Sequence, residues 1–319
     1  LRVTLQDREP AMLSHAMARA NRLFTKKLKD PYLVQQAQDR FIPDHQGHGV
    51  AQADVVIEAI YEEVEAKRAL YAQIEPQLKE DALLASNTSS IPLQELAAQL
   101  AQPQRFIGLH FFNPVAKMPL LEIVHTADTG LTSLQQALAF ARHIDKLPLP
   151  VKSSPGFLVN RILMPYLLEA VKLLEEGYDK NHIDQAALDF GMPMGPIELA
   201  DTVGLDVCLS VAQKIADVLS IQVPQRLQQL VKQKHLGKKT NQGFYTWDKK
   251  GHKKAISPPQ VNPMLAKRMM NCLLNEANAC LAEGVVEDTD LLDAGIIFGT
   301  GFAPFRGGPM QYQAKKKTA

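Results

Sequence analysis

The stretch "GLHFFNP" (residues 108–114) sets His110 in a hydrophobic, aromatic run, and "PLLEIVH" (119–125) sets Glu122 in another. The turn-like "NPVAKMP" lies between them, so a short strand–turn–strand return would bring the two side chains together. An imidazole titrating near neutrality is suited to take the proton of an alcohol. A carboxylate on its other nitrogen would fix the tautomer and stabilise the imidazolium. Read by itself, His110 has a second explanation: a core residue among Leu109, Phe111 and Phe112 with its ring bonded to a backbone carbonyl. In "ASNTSSIPLQEL", Ser89 or Ser90 either caps the helix "IPLQEL" or, for Ser89, places a hydroxyl against a substrate oxygen. Asn160, just past "SSPGF", carries a donor and an acceptor able to hold a substrate carbonyl or the histidine.

These residues need strand ends and helix starts to carry them, and the first half of the chain reads as alternating strands and helices. "LRVTLQD" is strand-like, and Pro10 suits the start of a helix over roughly Ala11 to Lys29, with Met12, Ala16, Ala20 and Leu23 on one face. "ADVVIEAI" has the β-branched composition of a strand buried on both sides. "EEVEAKRALYAQIEPQL" has helical period; "ALLASN", "RFIGLHFF", "PLLEIVH" and "LPLPVK" are further strands, with "SLQQALAFARHID" a helix. Such alternation predicts a mostly parallel sheet covered on both faces, with ligands beyond the carboxyl ends of its strands. Asp7, at the end of an early strand, suits the acid that binds the adenosine ribose of a dinucleotide and disfavours a 2′-phosphate; a solvated turn residue is its other reading. No Gly-rich phosphate turn occurs in the first 50 residues, so the expectation is a dinucleotide unit whose first strand lies before Leu1.

The second half reads as helices. "FLVNRILMPYLLEAVKLLEEG" is apolar almost all round, which predicts a buried helix, kinked at Pro165 and a candidate for self-association. "RILMPYLLEAVKLLEEG" (161–177) aligns with "RMMNCLLNEANACLAEG" (268–284) at a constant offset of 107, pairing Arg161 with Arg268, Glu169 with Glu276 and Gly177 with Gly284. "DFGMPMGP" has a looser counterpart in "IFGTGFAPFRGGP". The expected organisation is a dinucleotide domain over 1–152, a helical domain over 153–250, a charged, Pro-containing linker over 251–262 and a second, shortened helical copy over 263–319.

Composition narrows the function. A formal net charge of +1 argues against nucleic-acid or membrane-surface binding through bulk charge. No apolar run approaches about 20 residues, so no membrane span or signal peptide is expected. Of three cysteines, Cys208 and Cys280 sit in apolar helical patterns and read as buried thiols of a reducing cytoplasm. His45 and His48 have no thiol companion and no cluster of acids around them, and no metal site is expected.

Five motifs in one order, "SNTSSIP", "GLHFFNPVAKMPLLEI", "PGFLVNR", "FGMPMGPIEL" with "DTVGLD", and "GKKTNQGFY", resemble the L-3-hydroxyacyl-CoA dehydrogenase family over about residues 1–250. The second helical copy is similar to the carboxyl end of the multifunctional fatty-acid-oxidation α subunit. The resemblance implies an α/β, Rossmann-like domain followed by helical domains, NAD as cofactor, an acyl-CoA thioester as substrate and a thiolase as possible partner. It implies His110 as base paired with Glu122, and Ser89 and Asn160 on the substrate's 3-oxygen and thioester region. It further implies Asp7 at the adenosine ribose, Glu62 near the nicotinamide ribose, Lys67 on the cofactor or coenzyme A side, and Asn87 beside the nicotinamide. A catalytically silent relative that keeps the fold as an assembly scaffold is the alternative, and a dehydrogenase of sugar or 2-hydroxy acids is a third reading. That last would need Arg or Lys at the strand ends, where Ser and Asn stand.

Overall fold

The computed structural model describes residues 1–219, 221–248, 250–253 and 262–318. Its elements run β1 (Val3–Gln6), α1 (Pro10–Leu28), α2 (Pro31–Asp39), β2 (Phe41–Asp44), β3 (Val55–Glu58), α3 (Val64–Ile74), β4 (Leu83–Ser86), α4 (Leu93–Ala97), β5 (Phe106–Phe111), β6 (Leu120–His125), α5 (Leu131–His143) and β7 (Leu147–Lys152). Helices follow: α6 (Val159–Glu175), α7 (Lys180–Phe190), α8 (Pro196–Val203), α9 (Leu205–Leu219), α10 (Gln225–Lys232), α11 (Pro263–Ala282), α12 (Thr289–Thr300) and α13 (Pro309–Thr318). The expected linker falls largely on 254–261, outside the described residues.

The strands form a five-stranded sheet ordered β3-β4-β5-β6-β7 and a separate parallel pair β1-β2; only β5-β6 is antiparallel. This is a Rossmann-like domain with a mostly parallel sheet, joined to a helical carboxyl-terminal domain. Alternation along the strands sorts side chains to the two faces. Leu83, Ala85, Ile107, Leu109, Leu121 and Ile123 pack with Ala137 and Ala141 of α5. Leu84, Phe106, Leu120, Val124, Leu149 and Val151 join the core shared with the helical domain. His110 and Glu122 fall on that second set, so period 2 aims both at the helices.

Two expectations change, and two elements are added. β3 is an edge strand of its sheet, not one buried on both sides, and Ile57 is exposed. On α1 the packed face is displaced from the expected one: Leu13 is buried, Phe24 meets Phe41 edge to face, and Met12 and Leu23 are exposed. α2 and β2 add to the elements the sequence pattern predicts; Asp30 caps α2 by accepting from the Tyr32 amide, and Pro31 starts it.

α6 is buried, as its composition requires, but its apolar surface is covered within the chain by α11, so that surface gives no reason for self-association. The two helices are clamped reciprocally. Arg161 binds Glu276 and Glu283, each at 2.7 Å; Arg268 binds Glu169 and Glu176, each at 2.5 Å. Every residue of one set lies 107 positions from its counterpart in the other. Asp184 on α7 accepts the Ile197 and Glu198 amides that open α8, and Asp293 on α12 accepts the Met310 and Gln311 amides that open α13.

Candidate active site

His110 and Glu122 are direct partners in the β5-β6 register. The imidazole Nδ1 lies 2.6 Å from Glu122 Oε2, with Glu122 fully buried. The second carboxylate oxygen, Oε1, accepts the amides of Leu158 at 3.0 Å and Val159 at 2.9 Å. The positive end of α6 therefore sits on the anion that orients the histidine. Gly156, at φ +77°, makes this turn possible, because a Cβ there would lie 2.6 Å from Ile215 Cδ1. The next residue, Phe157, sets its ring 5.4 Å from that of His110, and Phe112 lies at 4.6 Å. With Nδ1–H donating to the Glu122 carboxylate, Nε2 carries the lone pair, and it has no hydrogen-bond partner among the described residues.

The strand-end serines do not cap α4. Its Leu93 amide is bound by Ser153 Oγ at 2.9 Å, while Thr88, Ser89 and Ser90 turn toward Glu62. Glu62 Oε1 accepts the Thr88 hydroxyl at 2.7 Å, the Ser89 amide at 2.9 Å, the Ser90 hydroxyl at 3.2 Å and the Ser89 hydroxyl at 3.3 Å. Burial alone would raise the Glu62 carboxyl. The Thr88 hydroxyl, the Ser89 amide and the charges of Lys67 and Lys214 outweigh it and hold the group below the ordinary glutamate range. Asn160, in the first turn of α6, donates to the Ser89 carbonyl at 3.4 Å, and Asn87 accepts the Phe111 amide at 3.3 Å. The loop after β4 thus meets the strand of His110 on one side and α6 on the other.

Lys67 is buried, its ammonium 2.7 Å from Glu58 and 3.5 Å from Glu62. Glu58 is the first acid of "EAIYE", which the family resemblance ranks below Glu62. It is buried at the end of β3 and accepts from the Ile60 amide, Lys67, Tyr71 and Ser86. Its sequence signal was weak, one acid closing an apolar run, and its role is to anchor that strand end. Asp7, half-buried after β1, accepts the Glu9 amide at 2.8 Å. It stands apart from the His110 cluster, on the strand pair that forms its own sheet.

Two family models match in tandem: "3-hydroxyacyl-CoA dehydrogenase, NAD binding domain" over residues 1–154 and "3-hydroxyacyl-CoA dehydrogenase, C-terminal domain" over 156–247. The chain belongs to the 3-hydroxyacyl-CoA dehydrogenase family. It is similar to 3-hydroxybutyryl-CoA dehydrogenase from Escherichia coli K12 at 26% identity and TM-score 0.87, covering 98% of this chain and 86% of that one. It is similar to (S)-3-hydroxybutyryl-CoA dehydrogenase from Ralstonia eutropha at 34% identity and TM-score 0.74, covering 78% and 91%. The dehydrogenase part of multifunctional enzyme 1 from C. elegans matches at 26% identity and TM-score 0.64, covering 94% and 73%.

A 3-hydroxyacyl-CoA dehydrogenase of this family is an NAD-dependent oxidoreductase, and acceptors suited to NAD are present. Glu62 gathers four donors on Oε1, while Oε2 meets the Lys67 ammonium at 3.5 Å and the side chain stays 33% exposed. Asp7 engages only Oδ1 among the described residues. Partly exposed carboxylates near strand ends are what ribose hydroxyls require. No helix among the described residues is long and apolar enough to cross a membrane.

Proposed function

We propose that this chain oxidises (3S)-3-hydroxyacyl-CoA thioesters to the 3-oxo form in fatty-acid β-oxidation, with His110 as general base and Glu122 as its partner. The observation that carries the reading is the Glu122 carboxylate shared between His110 Nδ1 and the α6 amides, which leaves Nε2 as the one open acceptor of the pair. Nε2 takes the proton of the substrate 3-hydroxyl, and the buried carboxylate stabilises the imidazolium that results. NAD, when bound, supplies the hydride acceptor. Phe112 and Phe157 wall the imidazole from water. Ser89 Oγ and the Asn160 amide contact the 3-oxygen and the thioester region. Glu62 and Asp7 take the ribose hydroxyls, Asn87 lies beside the nicotinamide, and Lys67 supports the cofactor side through Glu62.

The architecture belongs to the same reading, with a dinucleotide domain over 1–152 and a helical domain over 153–250. The reciprocal Arg–Glu clamps and the matched Asp184 and Asp293 caps support a duplicated helical module with its second copy over 263–319. β1 and β3 each keep an unpaired edge, which a first strand carrying the Gly-rich turn would fill. A thiolase subunit is the proposed partner and the cytoplasm the proposed compartment.

The test is NADH consumption with acetoacetyl-CoA, in the reverse direction, with His110→Ala as control. Turnover that collapses in the control supports the reading. Turnover indifferent to His110, or absent from the wild type while NADH binds, overturns it in favour of a scaffold role.

A further inference from the structure

The loop that presents Glu62 with its donors is tied to the helical domain at two adjacent residues. Asn160 reaches the Ser89 carbonyl, and Lys214, on α9, donates to Ser90 Oγ at 2.7 Å across 124 positions of sequence. Lys214 is half-buried and has no carboxylate within ion-pair distance among the described residues, so Ser90 is its one hydrogen-bonded partner. A hydroxyl has a single proton. With Lys214 donating to its oxygen, the Ser90 proton is directed onto Glu62 Oε1, 3.2 Å away. The chain ammonium–hydroxyl–carboxylate is therefore polarised in one sense from one domain to the other.

We propose that Lys214 is a positioning residue for the cofactor end of the site: through Ser90 it holds the Glu62 carboxylate and makes that geometry depend on the helical domain being docked. This rests on Glu62 being the ribose-side acceptor. Lys214 touches neither the imidazole nor the reacting oxygen, so it acts on cofactor affinity rather than on the proton transfer. Neighbouring Ile215 packs on Gly156 at the turn that opens α6, so α9 supports the His110–Glu122 turn and the Glu62 loop with adjacent side chains.

The experiment measures NADH binding by fluorescence, together with kcat for acetoacetyl-CoA reduction, in K214M, K214R, S90A and the K214M/S90A double variant of the full chain. Loss of a hydrogen bond to a charged network predicts NADH binding weakened about three- to tenfold in K214M. At saturating NADH, kcat changes by less than about twofold, and K214R recovers most of the affinity. If Lys214 works through Ser90, the double variant binds NADH no more weakly than the worse single variant, since the two share one path. Removing the ammonium also raises the Glu62 carboxyl, so the acidic pH below which NADH binding weakens moves upward in K214M. Affinity and pH profile equal to wild type overturn the proposal, as do fully multiplicative losses in the double variant. A fall in kcat that tracks a fall in Tm in both K214M and K214R overturns it too, since that is a packing role. A wild-type chain that binds NADH but is indifferent to Glu62→Gln removes the Glu62 reading itself, a different result from indifference to Lys214 alone.

Discussion

His110 and Glu122 face each other across the antiparallel β5-β6 ladder with imidazole and carboxylate 2.6 Å apart. A general base in such a pair contributes about 10²–10⁴ in rate, so His110→Ala is expected to lose about that much in kcat. Stopped-flow NADH consumption measures it, with circular dichroism showing an unchanged fold. A loss below about tenfold would remove His110 from the proton path.

Glu122 holds three donors at once, the imidazole and the amides of Leu158 and Val159. Glu122→Gln keeps the volume but lets the imidazole adopt the other tautomer, so kcat is expected to drop about 10²-fold or more. Glu122→Ala orphans the buried amides as well, at about 1–3 kcal/mol for each unsatisfied group. The signature is therefore an activity loss shared by both variants and a thermal shift in the alanine variant that clearly exceeds the one in the glutamine variant.

The two arginine clamps differ in exposure: the Arg161 side chain is 4% exposed and that of Arg268 36%. Breaking a buried pair costs about 3–5 kcal/mol. An exposed pair contributes about 1 kcal/mol or less. Arg161→Ala is thus expected to destabilise far more than Arg268→Ala in urea unfolding followed by the single tryptophan, Trp247. Equal losses would mean that the pairs contribute through geometry other than burial.

Asp184 gives a pH dependence. Burial pushes its carboxyl up to about 6, opposed by the Tyr245 hydroxyl, the Ile197 amide, Lys253 and the Glu198 amide. The folded state therefore binds this proton more tightly than the unfolded chain, whose value is near 3.8. Its contribution to stability is full below that lower value and declines as pH rises through about 6. Asp184→Asn is expected to flatten the stability profile between those limits, read as Tm against pH; an unchanged slope would show that Asp184 does not titrate there.

Much of the site was legible because its signals are local. Period-2 alternation around Leu109 and Ile123 fixes which way His110 and Glu122 point, and the turn between them leaves one simple return. Other signals were local but ambiguous. Ser89 and Ser90 stand where cap residues stand, yet Ser153, from beyond β7, makes that cap. On α1 the apolar residues are spread widely enough to allow two faces, and docking against β2 selects the one with Leu13 and Phe24.

By itself, then, the sequence determined the kinds of chemistry and their carriers: an imidazole and a carboxylate on neighbouring strands, a Ser/Asn-rich strand end, a glycine turn before α6, and a helix too apolar to stand in water. Tertiary structure alone decided the partners. It placed Lys67 inside, against Glu58 and Glu62; brought Lys214 to Ser90; and packed α6 against α11. Propensity and periodicity are set by residues within a turn or two of one another. These contacts join residues up to 124 positions apart, and the docking of whole elements, not local preference, selects which polar groups meet once water is excluded.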